Sequence, residues 1–309
     1  MLTQRGFSLV ELMVAMALGL VVTGAVFALY LTSTLSYAQD ERYARMQENG
    51  RYALKVVAED LRMADFWGKI TAPETIASAV APPGGCAGSI DLLNAGRGLL
   101  FNRYHDAEEL QFNPCADVTG VHAAGTDMVV VKRVQKQPGA TTGLRLRSNG
   151  VSGTFVDSGS PNTAAGEADW GYQPRLYFVR NFSRSAADGT PALCRLQLRD
   201  APHHLDFQDV ECPAEGIEDL HILFGVDTDQ DGAANRYTSA PALDDMEVVV
   251  SARIYILARS LDADRQYTNT KAFSLGDVLV PALNDGFYRQ VYTTTVALRN
   301  TANMALLSN

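Results

Sequence analysis

The run from Phe7 to Leu31 is apolar, and Glu11 is its only charge. At ~1.5 Å rise per residue a helix over this run is about 37 Å long, enough to span a ~30 Å hydrocarbon core with some tilt. A charge at the centre of a membrane helix costs roughly 2.5–3.5 kcal/mol, so such residues are usually kept for a task. Arg5 precedes the run and no basic residue follows until Arg42. The excess of positive charge on one side predicts residues 1–6 in the cytoplasm and everything after about Tyr37 across the membrane. An ordinary secretory signal cleaved near Ala15-Met16-Ala17 or Ser36-Tyr37-Ala38 has a shorter apolar core. It also leaves Glu11 without a purpose, as does a plain anchor helix.

The helix is expected to continue well past the membrane, because the first proline is Pro73. Leu35, Ala38, Met46, Ala53, Val57, Leu61 and Ala64 recur at helical spacing. Between them Glu41, Arg42, Arg45, Glu48, Arg51, Lys55, Glu59 and Arg62 form a solvated face. The predicted organisation is a leader over 1–6, a helical spine over 7–68 with its membrane part at 7–31, and a globular head over 69–309. Some 240 residues after the spine suffice for a sizeable core. Segments rich in Val, Ile, Tyr, Phe and Thr predict strands at Asp127–Val134, Gly143–Arg147, Arg175–Arg180, Leu193–Leu198, Leu205–Val210, Met246–Arg259 and Phe287–Leu298. Gly/Pro/Ser/Thr-rich stretches at 71–98 and 137–169 read as loops or insertions. The fold class is α+β, a long N-terminal helix followed by a mainly antiparallel sheet.

Four cysteines, Cys86, Cys115, Cys194 and Cys212, fall in the exported part. An even count in an oxidising compartment predicts two disulfides, and four cysteines allow three pairings. The sequence-adjacent pairs Cys86–Cys115 and Cys194–Cys212 are the expected ones. In Phe224-Gly225-Val226-Asp227-Thr228-Asp229-Gln230-Asp231-Gly232 three carboxylates alternate before a glycine, as in the first half of a calcium loop. Asp227, Asp229 and Asp231 with the Ala233 carbonyl are candidate calcium ligands. Thr238 stands where a bidentate acid is expected, leaving Asp244, Asp245 or Glu247 to complete the shell. The competing reading is an acidic turn whose Asp side chains bond their own backbone.

Other signals are weaker. His203 and His204 are adjacent and point to opposite faces of a strand. Lys132, Arg133, Lys136, Arg145 and Arg147 form a basic patch on an expected hairpin, with few aromatic residues among them; a solvated hairpin is the simpler reading. A net charge of −9 disfavours general nucleic-acid affinity. No metalloprotease helix, nucleophile elbow or phosphate loop is present, so no enzymatic activity is expected.

Gly6-Phe7-Ser8-Leu9-Val10-Glu11 resembles the signal of type IV pilins and pseudopilins. The resemblance implies cleavage by prepilin peptidase after Gly6, methylation of the new amino terminus at Phe7, and pairing of Glu11 with the amine of a neighbouring subunit. Major pilins commonly carry a proline within the membrane half, where this chain has Ala28. Beyond the signal, the chain resembles PilW-type minor pilins, through the long spine, Phe224–Asp229, Val248-Val249-Val250-Ser251-Ala252-Arg253-Ile254, and Tyr292-Thr293-Thr294-Thr295-Val296-Ala297-Leu298-Arg299-Asn300. That implies a low-copy subunit that helps initiate assembly of the fimbrium behind twitching motility and adhesion. Its partners would be the peptidase, other minor pilins, the major pilin, the inner-membrane assembly platform and a large tip adhesin. The head would be periplasmic before assembly and at the pilus tip afterwards. A large minor pseudopilin of a type II secretion system shares these signals, and a DNA-binding minor pilin for natural transformation would use the 132–147 patch.

Overall fold

The computed structural model of the protein describes residues 8–70, 72–81, 88–104, 109–110, 112, 118, 121–136, 143–157, 159–160, 163–198, 207–241, 246 and 248–300. Helix α1 (Leu9–Arg62) is followed by β1 (Ala77–Ser78), β2 (Leu99–Arg103), β3 (Glu109–Leu110), β4 (Met128–Val131), β5 (Val134–Lys136), β6 (Arg145–Ser148), β7 (Gly153–Val156) and β8 (Ala168–Tyr172). Then come β9 (Arg175–Arg180), β10 (Ala192–Leu198), β11 (Phe207–Glu215), β12 (Ile217–Val226), β13 (Arg236–Thr238), β14 (Val249–Arg259), β15 (Phe273–Leu275), β16 (Val278–Val280) and β17 (Arg289–Ala297). The architecture is α+β. Every described strand pairing except β1–β7 is antiparallel.

The chain divides into two compact units, residues 1–45 and 46–309, and α1 contributes to both. In the first unit the helix exposes its apolar side chains: Leu9, Leu20, Val21, Leu29 and Leu35 among them. Leu35 therefore lies outside the buried stripe that its spacing suggested. In the second unit the stripe is buried at Met46, Ala53, Val57 and Leu61, and continues beyond the helix in Ala64 and Trp67. Gly50 lies on this face because β17 comes too close for a side chain. A Cβ there would stand 2.4 Å from the Tyr292 ring.

Two sheets enclose the larger core. The five-stranded sheet, in order β1-β7-β6-β8-β5, supplies Leu146, Phe155 and Tyr172. The six-stranded sheet, β11-β10-β9-β4-β2-β3, supplies Leu100, Val130, Leu176 and Phe178. Trp67, which follows α1, is buried among them, with its ring 6.2 Å from Phe155 and 5.8 Å from Tyr172. The third sheet, β13-β12-β14-β17, joins through Phe224 against Phe101 at 4.7 Å and through the Asp127 amide, which donates to the Leu220 carbonyl. The β15–β16 hairpin packs Leu275 and Val278 on Leu257.

Several elements differ from expectation. Strand β12, at the heart of the third sheet, was not anticipated. Its Glu218, Asp219 and His221 interrupt the apolar pattern, and Arg289 beside Glu218 and Asp127 with Asp277 beside His221, all from distant segments, make two of these polar side chains tolerable there. The stretch 137–169, expected as a loop or insertion apart from the predicted strand Gly143–Arg147, contains that strand as β6 (Arg145–Ser148) and, in addition, β7 and the start of β8. These strands are four or five residues long, and sheet pairing rather than intrinsic pattern holds them. The predicted strand Asp127–Val134 is two strands, β4 and β5, split at Lys132 and Arg133 where the chain passes from one sheet to the other. Cys194 and Cys212 are bonded, joining β10 to its neighbour β11. Cys86 and Cys115 lie outside the described residues.

Candidate assembly and cation sites

Helix α1 starts with a reciprocal cap. The Val10 amide donates to Ser8 Oγ at 3.2 Å, and the Ser8 amide donates to Glu11 Oε2 at 2.9 Å. Ser8 and Glu11 thus form a capping box, which satisfies donors that a helix start leaves open. The Glu11 carboxylate also lies at the positive end of the helix dipole. Along the apolar stretch Thr23 and Thr32 return their hydroxyls to the carbonyls of Gly19 and Ala28. Those hydroxyls are satisfied inside the helix, as a lipid environment requires. Among the described residues α1 is the one helix long and apolar enough to cross a membrane. Gly6 and Phe7, which flank the expected cleavage point, lie outside the described residues.

The acidic loop joins β12 to β13. Its ends are tied where the Asn235 amide donates to the Val226 carbonyl and the Thr228 amide to Asn235 Oδ1. Gln230 and Gly232 take φ of 61° and 87°, which curls the loop back on itself. One ligand atom from each of Asp227, Asp229 and Asp231 falls within 4.8 Å of the other two. Asp227 is also the keystone of the turn: the Gln230 and Gly232 amides each donate to it at 2.7 Å. Burial pushes its carboxyl up, but the hydrogen bonds from Gly232, Gln230 and Asp229 together hold it below its ordinary value. The turn reading and the cation reading therefore share this geometry. Three converging hard oxygen donors fit a calcium ion, and the amide bonds leave each Asp227 oxygen a second lone pair. Thr238 lies in β13, paired with Phe224. Asp244, Asp245 and Glu247 lie outside the described residues, as do His203 and His204.

The expected basic hairpin is not a solvated surface. Lys132 is fully buried, with Nζ 3.0 Å from the Asp91 and Asn94 carbonyls. Arg133 pairs with Asp60 at 3.0 Å, and Arg145 and Arg147 both pair with Asp169. Of the five, Lys136 alone is exposed. Each of the other four is held by an acceptor that sequence spacing does not reveal.

Two polar clusters had no sequence forecast. Asp60, on the buried face of α1, accepts from Arg133, Arg175 and the Tyr177 hydroxyl. Burial raises its carboxyl, yet Arg175 and Tyr177 bonding with the two guanidinium charges bring it below its ordinary value. His221, buried in β12, has Nδ1 2.7 Å from Asp127 and Nε2 2.7 Å from Asp277, whose other oxygen accepts from Ser239. A carboxylate inside an apolar helical stripe and an imidazole inside an apolar strand were the available signals.

Residues 176–300 match the family described as Type IV Pilus-assembly protein W, and residues 1–27 match the prokaryotic N-terminal methylation motif. No curated protein matches the chain. Among solved structures, the Type IV-like pilin TTHA1219 from Thermus thermophilus aligns at 10% identity with a TM-score of 0.36, over 84% of this chain and 98% of that one.

Proposed function

We propose that the chain, similar over residues 176–300 to the Type IV Pilus-assembly protein W family and over residues 1–27 to the N-terminal methylation motif, is a PilW-type minor pilin which helps initiate type IV pilus assembly and sits at the tip. In this reading prepilin peptidase cleaves after Gly6, and the apolar part of α1 anchors the protein in the inner membrane with its head in the periplasm. The observation that carries the reading is a capped helix of membrane-spanning length whose apolar residues are exposed among the described residues. Lipid before assembly and neighbouring spines afterwards cover them. Glu11 then exchanges its bond to the Ser8 amide for the amine of a neighbour, a pairing that sets register more than it adds affinity. The platform, other minor pilins, the major pilin and a tip adhesin are the proposed partners, and the pilin family is a structural class rather than a catalytic one. In a deletion strain, sheared surface pili should be lost or sharply reduced while enzyme secretion continues. Normal pili with failed secretion would move the protein to the pseudopilins of type II secretion. Glu11→Ala should leave the protein processed and membrane-bound yet absent from sheared fibres; normal incorporation would contradict the assembly role.

The acidic loop is proposed to hold a structural calcium ion through Asp227, Asp229, Asp231 and the Ala233 carbonyl. Adding calcium in excess over a chelator should raise the melting temperature, by about 2.7 kcal/mol of stabilisation at a hundredfold excess over Kd. Asp229→Asn should reduce that rise; a melting curve indifferent to calcium would leave the loop a self-bonded turn.

A further inference from the structure

A groove of about 500 Å³ runs between the end of α1 and strands β9 and β10. Its lining contains five cations, Lys55, Arg62, Arg133, Arg175 and Arg195, against two carboxylates, Glu59 and Asp60. A local positive excess on a chain of net charge −9 is a departure that requires a reason.

The hydrogen bonds give one. Arg133 and Arg175 share a single buried carboxylate: Arg133 sends Nε and Nη2 to Asp60 Oδ1, while Arg175 sends Nη1 to both oxygens. The Arg175 Nε is buried with no acceptor among the described residues. Both guanidiniums are recessed, with side chains 12% and 19% exposed. Buried charge is tolerated when paired, and here one carboxylate serves two cations. The third guanidinium, Arg195, is held at the groove's edge by Glu211, whose side chain is half exposed and also accepts from Gln197. Tyr52 and Met63, both exposed, form the apolar part of the lining together with the half-buried Val56. Aromatic, Met and Arg side chains together are the composition of protein-binding hot spots.

We infer that this groove binds an acidic segment of a partner protein, whose carboxylates complete the pairing of Arg133, Arg175 and Arg195 while its apolar neighbours cover Tyr52 and Met63. A nucleic acid fits less well. Its phosphates follow a continuous track, whereas these cations are recessed and Glu59 and Glu211 stand beside them. The inference uses none of the residues of the assembly or calcium sites, so it stands or falls separately from the function proposed above.

The test uses the full chain in detergent with a fluorescein-labelled hexaglutamate peptide, followed by fluorescence anisotropy at low and high salt. Binding should weaken with salt, and Arg195→Glu should lower affinity roughly tenfold or more, the equivalent of about 1.4 kcal/mol. Lys55→Glu is a second variant whose side chain is 68% exposed, so its fold is not in question; it should weaken binding in the same direction. Absence of peptide binding, or both variants binding as tightly as the parent chain, would overturn the inference. So would a single-stranded oligonucleotide of equal charge that binds more tightly than the peptide.

Discussion

Lys132 and Asp65 are opposite charges placed where water does not reach. Burial pulls the Lys132 ammonium down to about 8, against the attraction of Asp91 and Asp65. It pushes the Asp65 carboxyl up to about 6, against the attraction of Lys132. Asp65 also turns the chain out of α1 with φ of 59°, a conformation that Asp and Asn adopt more readily than most residues. Because the folded carboxyl holds its proton more tightly than the unfolded one, its contribution is fully present below pH 3.8 and is lost as pH rises through about 6. The span corresponds to something on the order of 3 kcal/mol. Asp65→Asn keeps the shape and the backbone preference and removes the titration. Its melting temperature should therefore stay flat between pH 4 and 6, where the parent chain declines; parallel profiles would refute the assignment. Neither residue's burial was legible in the sequence, since a lysine beside an arginine in a Val-rich run reads equally well as a strand edge.

At the scale of elements, α1 was the most legible part of the chain. Its length, first-turn acid and apolar spacing are local properties, and local pattern suffices for a helix. What the spacing does not tell is how near the helix lies to its neighbour. Gly50 against Tyr292 is the measure of that approach. Gly50→Ala improves helix propensity by roughly 0.5–1 kcal/mol but forces the Tyr292 ring aside, an overpacking that costs about 1–3 kcal/mol. The variant should melt at a lower temperature than the parent; an increase would mean that the ring yields freely. The strands were legible where Val, Ile, Tyr and Thr cluster, as in β9, β14 and β17. They were not legible where polar residues are carried by remote partners, as in β12, where Arg289 takes Glu218 and the two aspartates take His221.

For the whole molecule, the ionic clusters that join its layers set its response to acid. Asp60 joins α1 to β9, Asp277 joins the β15–β16 turn to β12, and Asp285 holds Arg289 of β17. Each is held below its ordinary value. For Asp60 and Asp277 burial opposes the shift and hydrogen bonds overcome it, while for Asp285 the Arg289 bond leads. Depressed folded-state values contribute stability above about pH 4, which is lost as pH falls through them. The melting temperature should therefore drop steeply below pH 4, against the opposite trend of Asp65. Asp277→Asn should make that drop shallower, and an unchanged acid limb would show that this carboxylate does not carry it.

The sequence by itself determined the signal, the membrane-length helix with its single carboxylate, the α+β class and the acidic loop. All of these are read from neighbours along the chain, where spacing and residue type fix the geometry. Only the tertiary structure decided which charges are buried and with whom. Lys132, Arg133, Arg145 and Arg147 look like one basic patch in sequence and belong to three separate buried pairings in space. Their partners lie up to 73 residues away. Pairing at such distances depends on how the sheets and the helix come together, and no local pattern encodes it.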